Sequence, residues 1–200
     1  MVPRLYLVRH GETAWSLSGQ HTGVTDIPLT ERGEQQARRL GALLGQVGIS
    51  EVWSSPLQRA RRTCELAGLA NVTRVEPALA EWNYGEYEGV TSADIRLRDP
   101  HWNLFQHGSP GGESPAQVSA RVDGILPRLR ATGGNVAVFS HGHFLRAFAA
   151  RWIGLPVGDG QRLLLHTASL SILSCEHANP DEPVIVLWNA GVDQLHARFP

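Results

Sequence analysis

The sequence predicts an α/β fold, a three-layer α/β/α sandwich around a mostly parallel central sheet, on three observations. Short apolar runs alternate along the chain with longer stretches of helical spacing. Two of the runs, Leu5 to Val8 and Val136 to Phe139, are apolar without interruption, as strands covered on both faces are. Each of these two ends in a polar residue, a histidine and a glycine (Arg9-His10-Gly11 and Ser140-His141-Gly142), and parallel placement brings those ends together beyond the sheet.

The elements follow in order. Leu5 to Val8 stops at Arg9-His10-Gly11-Glu12-Thr13, a group of turn formers and polar residues, and reads as a buried strand. Thr30 and Glu31 open a helix with Ala37, Leu40, Leu43 and Leu44 at helical spacing, ending near Gly45 and Gly48. Glu51 to Ser54 reads as a second strand. Ser55-Pro56 leads into a helix that reaches Gly68, with Pro56 near its first position, where a missing N–H costs nothing, and Arg59 in its first turn. Val75 to Leu79 is expected as a third strand. It runs into Glu81-Trp82-Asn83-Tyr84-Gly85 and a stretch rich in Gly, Pro, Trp and His up to Gly112. That stretch is expected to cover a site, because Trp102 and Phe105 need somewhere to pack.

Pro115 to Leu129 carries Val118, Val122, Ile125 and Leu126 at helical spacing, with Ser114 as its cap and Pro127 ending or bending it. Phe144 to Ile153 forms the helix after the Val136 strand, and Ser169 to Ser174 and Pro183 to Trp188 are two further strands. No repeat, low-complexity tract or boundary interrupts the 200 residues, so a single domain over 1–200 is expected.

Composition excludes several classes of function. With 42% hydrophobic and 18% charged residues, the chain is too apolar for disorder, and no apolar run approaches the roughly 18 residues of a membrane span. Lys plus Arg is 18 against 19 Asp plus Glu, so no net field favours nucleic acid or an anionic membrane, and any anion must be held locally. All 18 cations are arginine. Lysine Schiff-base chemistry and a lysine-dependent P-loop are thereby excluded, whereas the planar arginine fork suits phosphate. Cys64 and Cys175 lack metal or redox spacing, and the N-terminal residues lack a signal-peptide pattern. A cytoplasmic protein with reduced thiols is expected, and a homodimer is compatible with the chain.

Four motifs stand in one order: Leu7-Val8-Arg9-His10-Gly11-Glu12-Thr13, Ser54-Ser55-Pro56-Leu57-Gln58-Arg59-Ala60, Glu81-Trp82-Asn83-Tyr84-Gly85 and Ser140-His141-Gly142-His143. Together they resemble the histidine phosphatase superfamily, the phosphoglycerate mutase-like family, over nearly the whole chain. The resemblance implies that His10 is a nucleophile that takes the phosphoryl group. Arg9, Arg59 and His141 would hold the phosphate, and Glu81 would be the acid. A neutral imidazole attacks phosphorus and leaves as phosphohistidine, splitting one displacement into two. Neighbouring guanidinium groups keep that imidazole neutral and complement the charge of the phosphoryl oxygens. Glu81 would protonate the leaving alkoxide and then draw a proton from the attacking water. No cofactor is implied and no metal, since His141 and His143 have no third ligand at convincing spacing.

The same resemblance extends to a second group of residues. Ser16 stands where mutases of the family often carry a phosphate-contacting Asn, and Thr22 and Gly23 match the substrate loop. Tyr84 matches an aromatic of the pocket, the alternative being packing against Trp82 and Trp102. Gly142 and His143 open a helix whose N–H groups would meet an anion. Arg146 would reach a distal anionic group of the substrate. The interval from Gly89 to Gly112 is short and carries only Arg96 and Arg98, which disfavours a mutase. The expected substrate is a small phosphorylated metabolite such as a sugar phosphate or bisphosphate, as in the broad acid phosphatases and the sedoheptulose bisphosphatases. The alternatives are a cofactor-dependent phosphoglycerate mutase, a phosphohistidine protein phosphatase and a phospho-ligand binding module without turnover.

Overall fold

A computed structural model of the chain describes residues 2–70 and 73–191. Its elements run β1 (Arg4–Arg9), α1 (Ala14–Ser18), α2 (Glu31–Leu44), β2 (Glu51–Ser54), α3 (Gln58–Leu66), β3 (Thr73–Val75), α4 (Ser92–Arg98), α5 (Leu104–His107), α6 (Pro115–Arg130), β4 (Asn135–Ser140), α7 (Gly142–Trp152), β5 (Leu170–Cys175) and β6 (Pro183–Ala190). The six strands form one sheet in the order β3-β2-β4-β1-β5-β6. β1 to β4 pair in parallel, and β5 runs antiparallel to both of its neighbours. Among the described residues no helix is long and apolar enough to cross a membrane.

Alternation along the central strands divides the core in two. Leu5, Leu7, Val136 and Val138 face Val118, Val122 and Ile125 of α6 and Phe144 and Phe148 of α7. Tyr6, Val8, Ala137 and Phe139 face Leu40, Leu43 and Leu44 of α2 and Cys64 of α3. Helices thus cover both faces, and each fully buried leucine or phenylalanine contributes about 1.5–3 kcal/mol to holding them there.

Three expected boundaries shift. The third strand is Thr73–Val75, and Pro77–Leu79 is a 3-10 turn instead. Pro77 has no N–H to give a ladder, and the Glu76 carboxylate accepts from the Ala78 N–H at 3.1 Å. Pro56 precedes α3 without entering it. That helix starts at Gln58, whose N–H donates at 2.8 Å to Asp26, a carboxylate from a distant loop. Pro127 does not end α6, which continues to Arg130.

Parallel pairing aligns the ends of three strands. Arg9 lies opposite Ser140, and Ser54 opposite Phe139. The segment leaving β1 then threads between α2 and α3: Gly11 N–H donates to Thr63 Oγ1 at 3.0 Å and Glu12 N–H to Gln36 Oε1 at 3.0 Å. The crossing is a backbone-to-backbone contact. A Cβ at Gly33 of α2 would overlap the Glu12 carbonyl oxygen, and one at Gly11 would overlap the Gly33 carbonyl. Only glycine fits either place.

This crossing makes Gly33→Ala diagnostic. Helix propensity alone would stabilise the variant by about 1 kcal/mol, whereas the overlap costs about 1–3 kcal/mol. A lowered urea midpoint is the expected outcome, and a raised midpoint would show that α2 does not press on the His10 segment.

Candidate active site

His10 is the first residue beyond β1, and it is held on both sides. Its N–H donates to Ser140 O at 3.0 Å, and its carbonyl accepts from the Ala168 N–H at 3.0 Å. The buried ring places Nδ1 2.7 Å from the Gly11 carbonyl oxygen. A carbonyl only accepts, so Nδ1 carries the proton and Nε2 keeps its lone pair. Burial, and after it the guanidinium groups of Arg59 and Arg9, hold the imidazole well below its usual range. The ring is therefore neutral with one free basic nitrogen.

His141 caps α7 from the end of β4, with its ring centroid 5.2 Å from that of His10. Arg59 Nε donates to its Nδ1 at 3.2 Å, which leaves the proton on Nε2, 2.7 Å from Ser55 Oγ. Burial first, then Arg59, His10 and Arg9, lower this histidine too. Arg59 itself is 0% exposed. Its Nη1 donates to Thr25 O and its Nη2 to Thr22 O and Gly23 O, at 2.8–3.0 Å. Arg9 donates from Nη1 to Leu165 O at 2.6 Å, while its Nε is buried without a hydrogen-bond partner.

Glu81 reaches the same cavity. Its Oε1 accepts from the N–H groups of Trp82 at 2.9 Å and Phe144 at 2.8 Å, and Oε2 from the His143 N–H at 3.1 Å. The carboxylate therefore caps α7, whose own N-cap residue, His141, makes no side-chain bond to the helix N–H groups. The helix start expected to greet a phosphate greets Glu81 instead.

The cavity holds about 230 Å³ and is lined by Arg9, His10, Trp15, Ser16, Gly19, Gln20, His21, Thr22, Glu81, Tyr84, Ser92 and His143. A larger groove of about 520 Å³, near Arg4, Leu43 and Ile172, has neither histidine nor carboxylate in its lining. Ser16 stands at the cavity, but its hydroxyl closes a capping box with Thr13 at the start of α1. Tyr84 does more than pack: its hydroxyl lies 2.6 Å from His143 Nδ1, and burial, followed by Glu81, keeps the phenol protonated. Thr22 lines the cavity. Gly23 lies behind it, with its carbonyl on Arg59 and its N–H on Glu88 Oε2 at 3.0 Å. Gly142 lies outside the lining as well, where a Cβ would stand 3.1 Å from the Arg9 guanidinium carbon. Arg146 is not brought to the cavity. Its fork donates to Gly160 O and Gln161 O at 3.0 Å, and its guanidinium stacks 4.7 Å over Phe105.

His21 went unread in the sequence although it adjoins the Thr22-Gly23 motif. Its ring lies 4.7 Å from that of Tyr84 and 5.5 Å from that of Trp102. Glu88 also went unread. Its carboxylate accepts from the N–H groups of Gly23, Val24 and Thr25. Arg59 takes the carbonyls of that loop and Glu88 its N–H groups, so the loop is clamped from both sides.

The chain is similar to known proteins over most of its length. Residues 5–191 match the family model of the histidine phosphatase superfamily, branch 1. The chain is 46% identical over 178 residues to an acid phosphatase of Mycobacterium tuberculosis, covering 87% of each chain. It is 32% identical to the sedoheptulose 1,7-bisphosphatase of Saccharomyces cerevisiae, covering 94% of this chain and 93% of that one. A solved structure of a Mycobacterium tuberculosis open reading frame superposes with a TM-score of 0.87 at 42% identity, over 94% of this chain and 98% of the other.

The buried histidines set a pH dependence of folding. His10, His141 and His143 are lowered well below 6.5 and His21 to about 4, in each case by burial first. The unfolded chain takes up these protons near pH 6.5 and the folded chain does not. Stability is therefore fully present above about pH 6.5 and is lost as pH falls, by up to about 1.4 kcal/mol per pH unit for each histidine. Urea midpoints recorded from neutral pH downward should fall below that point, and a midpoint constant to about pH 5 would contradict the burial of neutral imidazoles.

Proposed function

As the chain belongs to the histidine phosphatase superfamily, we propose that it is a metal-independent phosphatase that hydrolyses small phosphomonoesters through a phosphohistidine on His10. The observation that carries this reading is the His10 ring itself, buried, neutral, and with Nδ1–H fixed on Gly11 O so that the nucleophilic lone pair is on Nε2. A relative named an acid phosphatase and another named a bisphosphatase support the reaction class.

In the first step Nε2 forms a bond to phosphorus as the bond to the ester oxygen breaks, and the leaving alcohol takes a proton from the Glu81 carboxyl group. In the second, water gives its proton back to Glu81 and attacks phosphorus, releasing inorganic phosphate and neutral His10. Arg9, in the cavity lining, brings its guanidinium charge to the phosphoryl oxygens. Arg59 keeps its charge beside both histidines and holds Thr22 in the wall. Neutral imidazoles suit turnover at acid pH, where an ordinary histidine would be protonated and without nucleophilic power.

The lining also speaks to the substrate. Arg9 is the only cation in the lining among the described residues, and the Arg146 fork is engaged by loop carbonyls. A second phosphate or a carboxylate would therefore find no partner there. Trp15, Gln20, His21, Thr22, Tyr84, Ser92 and His143 instead offer aromatic and uncharged polar surface, suited to the ester of an uncharged, hydroxylated alcohol.

Rapid acid quench during turnover of p-nitrophenyl phosphate should trap one phosphoryl group on the peptide that contains His10, with chelator present. His10→Ala should trap none and lose turnover by on the order of 10⁴-fold or more. Monophosphates of neutral alcohols should be hydrolysed faster than sugar bisphosphates or 3-phosphoglycerate. Turnover that survives His10→Ala would overturn the proposed mechanism.

A further inference from the structure

Arg121 lies on α6, outside the cavity lining, yet it is joined to both halves of the environment of Glu81. All five of its N–H donors are engaged. Nη1 donates to Ala78 O at 3.0 Å and Ala80 O at 2.6 Å, and Nη2 to the Glu81 carbonyl at 3.3 Å. Nε and Nη2 grip the Glu113 carboxylate at 2.9 and 2.7 Å. The guanidinium carbon also sits 4.5 Å over the ring of Phe144, the residue whose N–H holds Glu81 Oε1.

Glu113 completes the frame. Its Oε2 accepts from the Asn83 N–H at 2.9 Å, its own N–H donates to Asn83 O at 2.9 Å, and its carbonyl accepts from Trp82 Nε1 at 2.8 Å. Residues 78–83 form no ladder, so without this pair four of their carbonyls, those of Ala78, Ala80, Glu81 and Asn83, would lack these partners. We infer that Arg121, paired with Glu113, is a positioning residue for the Glu81 carboxylate, fixing the backbone that carries it and the helix turn that receives it. A planar fork is required, because five bonds in five directions cannot be made by a single ammonium.

The inference rests on the role of Glu81 proposed above, and its test separates the two. Turnover would be measured for Arg121→Met and Arg121→Lys, alone and combined with Glu81→Gln. Each Arg121 change should lower kcat by about 10- to 100-fold with KM within about twofold, as displacement of a catalytic group does. In the Glu81→Gln background the same change should cost less than about twofold, since the group being positioned is gone. Equal losses in both backgrounds, or full kcat with lysine, would overturn the inference. Amide exchange gives a readout free of turnover: the His143 and Phe144 N–H groups, which hold Glu81, should exchange faster in the variants, and unchanged protection would equally overturn it. If Arg121→Met does not fold, Glu113→Gln frees the fork and serves in its place, with the same outcomes expected. Equal activity of wild type and Glu81→Gln would remove the proposed role of Glu81, while amide exchange would still decide whether Arg121 positions it.

Discussion

Buried and half-buried guanidinium groups that collect backbone carbonyls organise this molecule around its cavity. Arg59 takes the carbonyls of Thr22, Gly23 and Thr25, Arg121 those of Ala78, Ala80 and Glu81, Arg146 those of Gly160 and Gln161, and Arg9 that of Leu165. The loops concerned make few ladder bonds, and a carbonyl left unpaired on burial costs about 1–3 kcal/mol. One arginine satisfies two or three such groups at once, which an ammonium on a flexible stem does not do with fixed geometry. The arginine bias visible in the composition thereby has a structural use.

Charge follows from that architecture. Guanidinium groups next to His10 and His141 add to desolvation in lowering both imidazoles, so the forks that shape the loops also keep the rings neutral. Carboxylates complement them. Glu81, Glu88 and Glu113 each receive backbone N–H groups from the loops that the arginines hold, and Asp26 and Glu81 supply the caps that α3 and α7 lack. Since α7 already has a carboxylate at its first turn, the proposed mechanism gives the negative charge of a phosphoryl group to the Arg9 guanidinium in the cavity lining rather than to the helix dipole.

Much of this was legible in the residues. β1 and β4 are unbroken apolar runs, and Thr30 and Ser114 cap α2 and α6 through their side chains as their positions suggest. The third strand was misplaced because Val75 and Leu79 are apolar while Pro77 between them cannot pair. The direction of the Arg146 fork was not legible, since helical position gives the face of a residue but not the carbonyls of a loop that closes on it from Gly160. Glu81 came from its motif, and periodicity alone would have left it in a loop. Arg121 had a signal that went unused. It lies on the apolar stripe of α6, three residues after Val118 and four before Ile125, where a charge needs a buried partner.

The proposed chemistry depends on a neutral His10 whose proton is on Nδ1. Nitrogen-15 NMR of the imidazole reports both tautomer and charge. An Nδ1–H signal with an unprotonated Nε2 should persist as pH is lowered from neutrality through about 6.5, the ordinary histidine value. An Nε2–H tautomer, or protonation near that ordinary value, would contradict it.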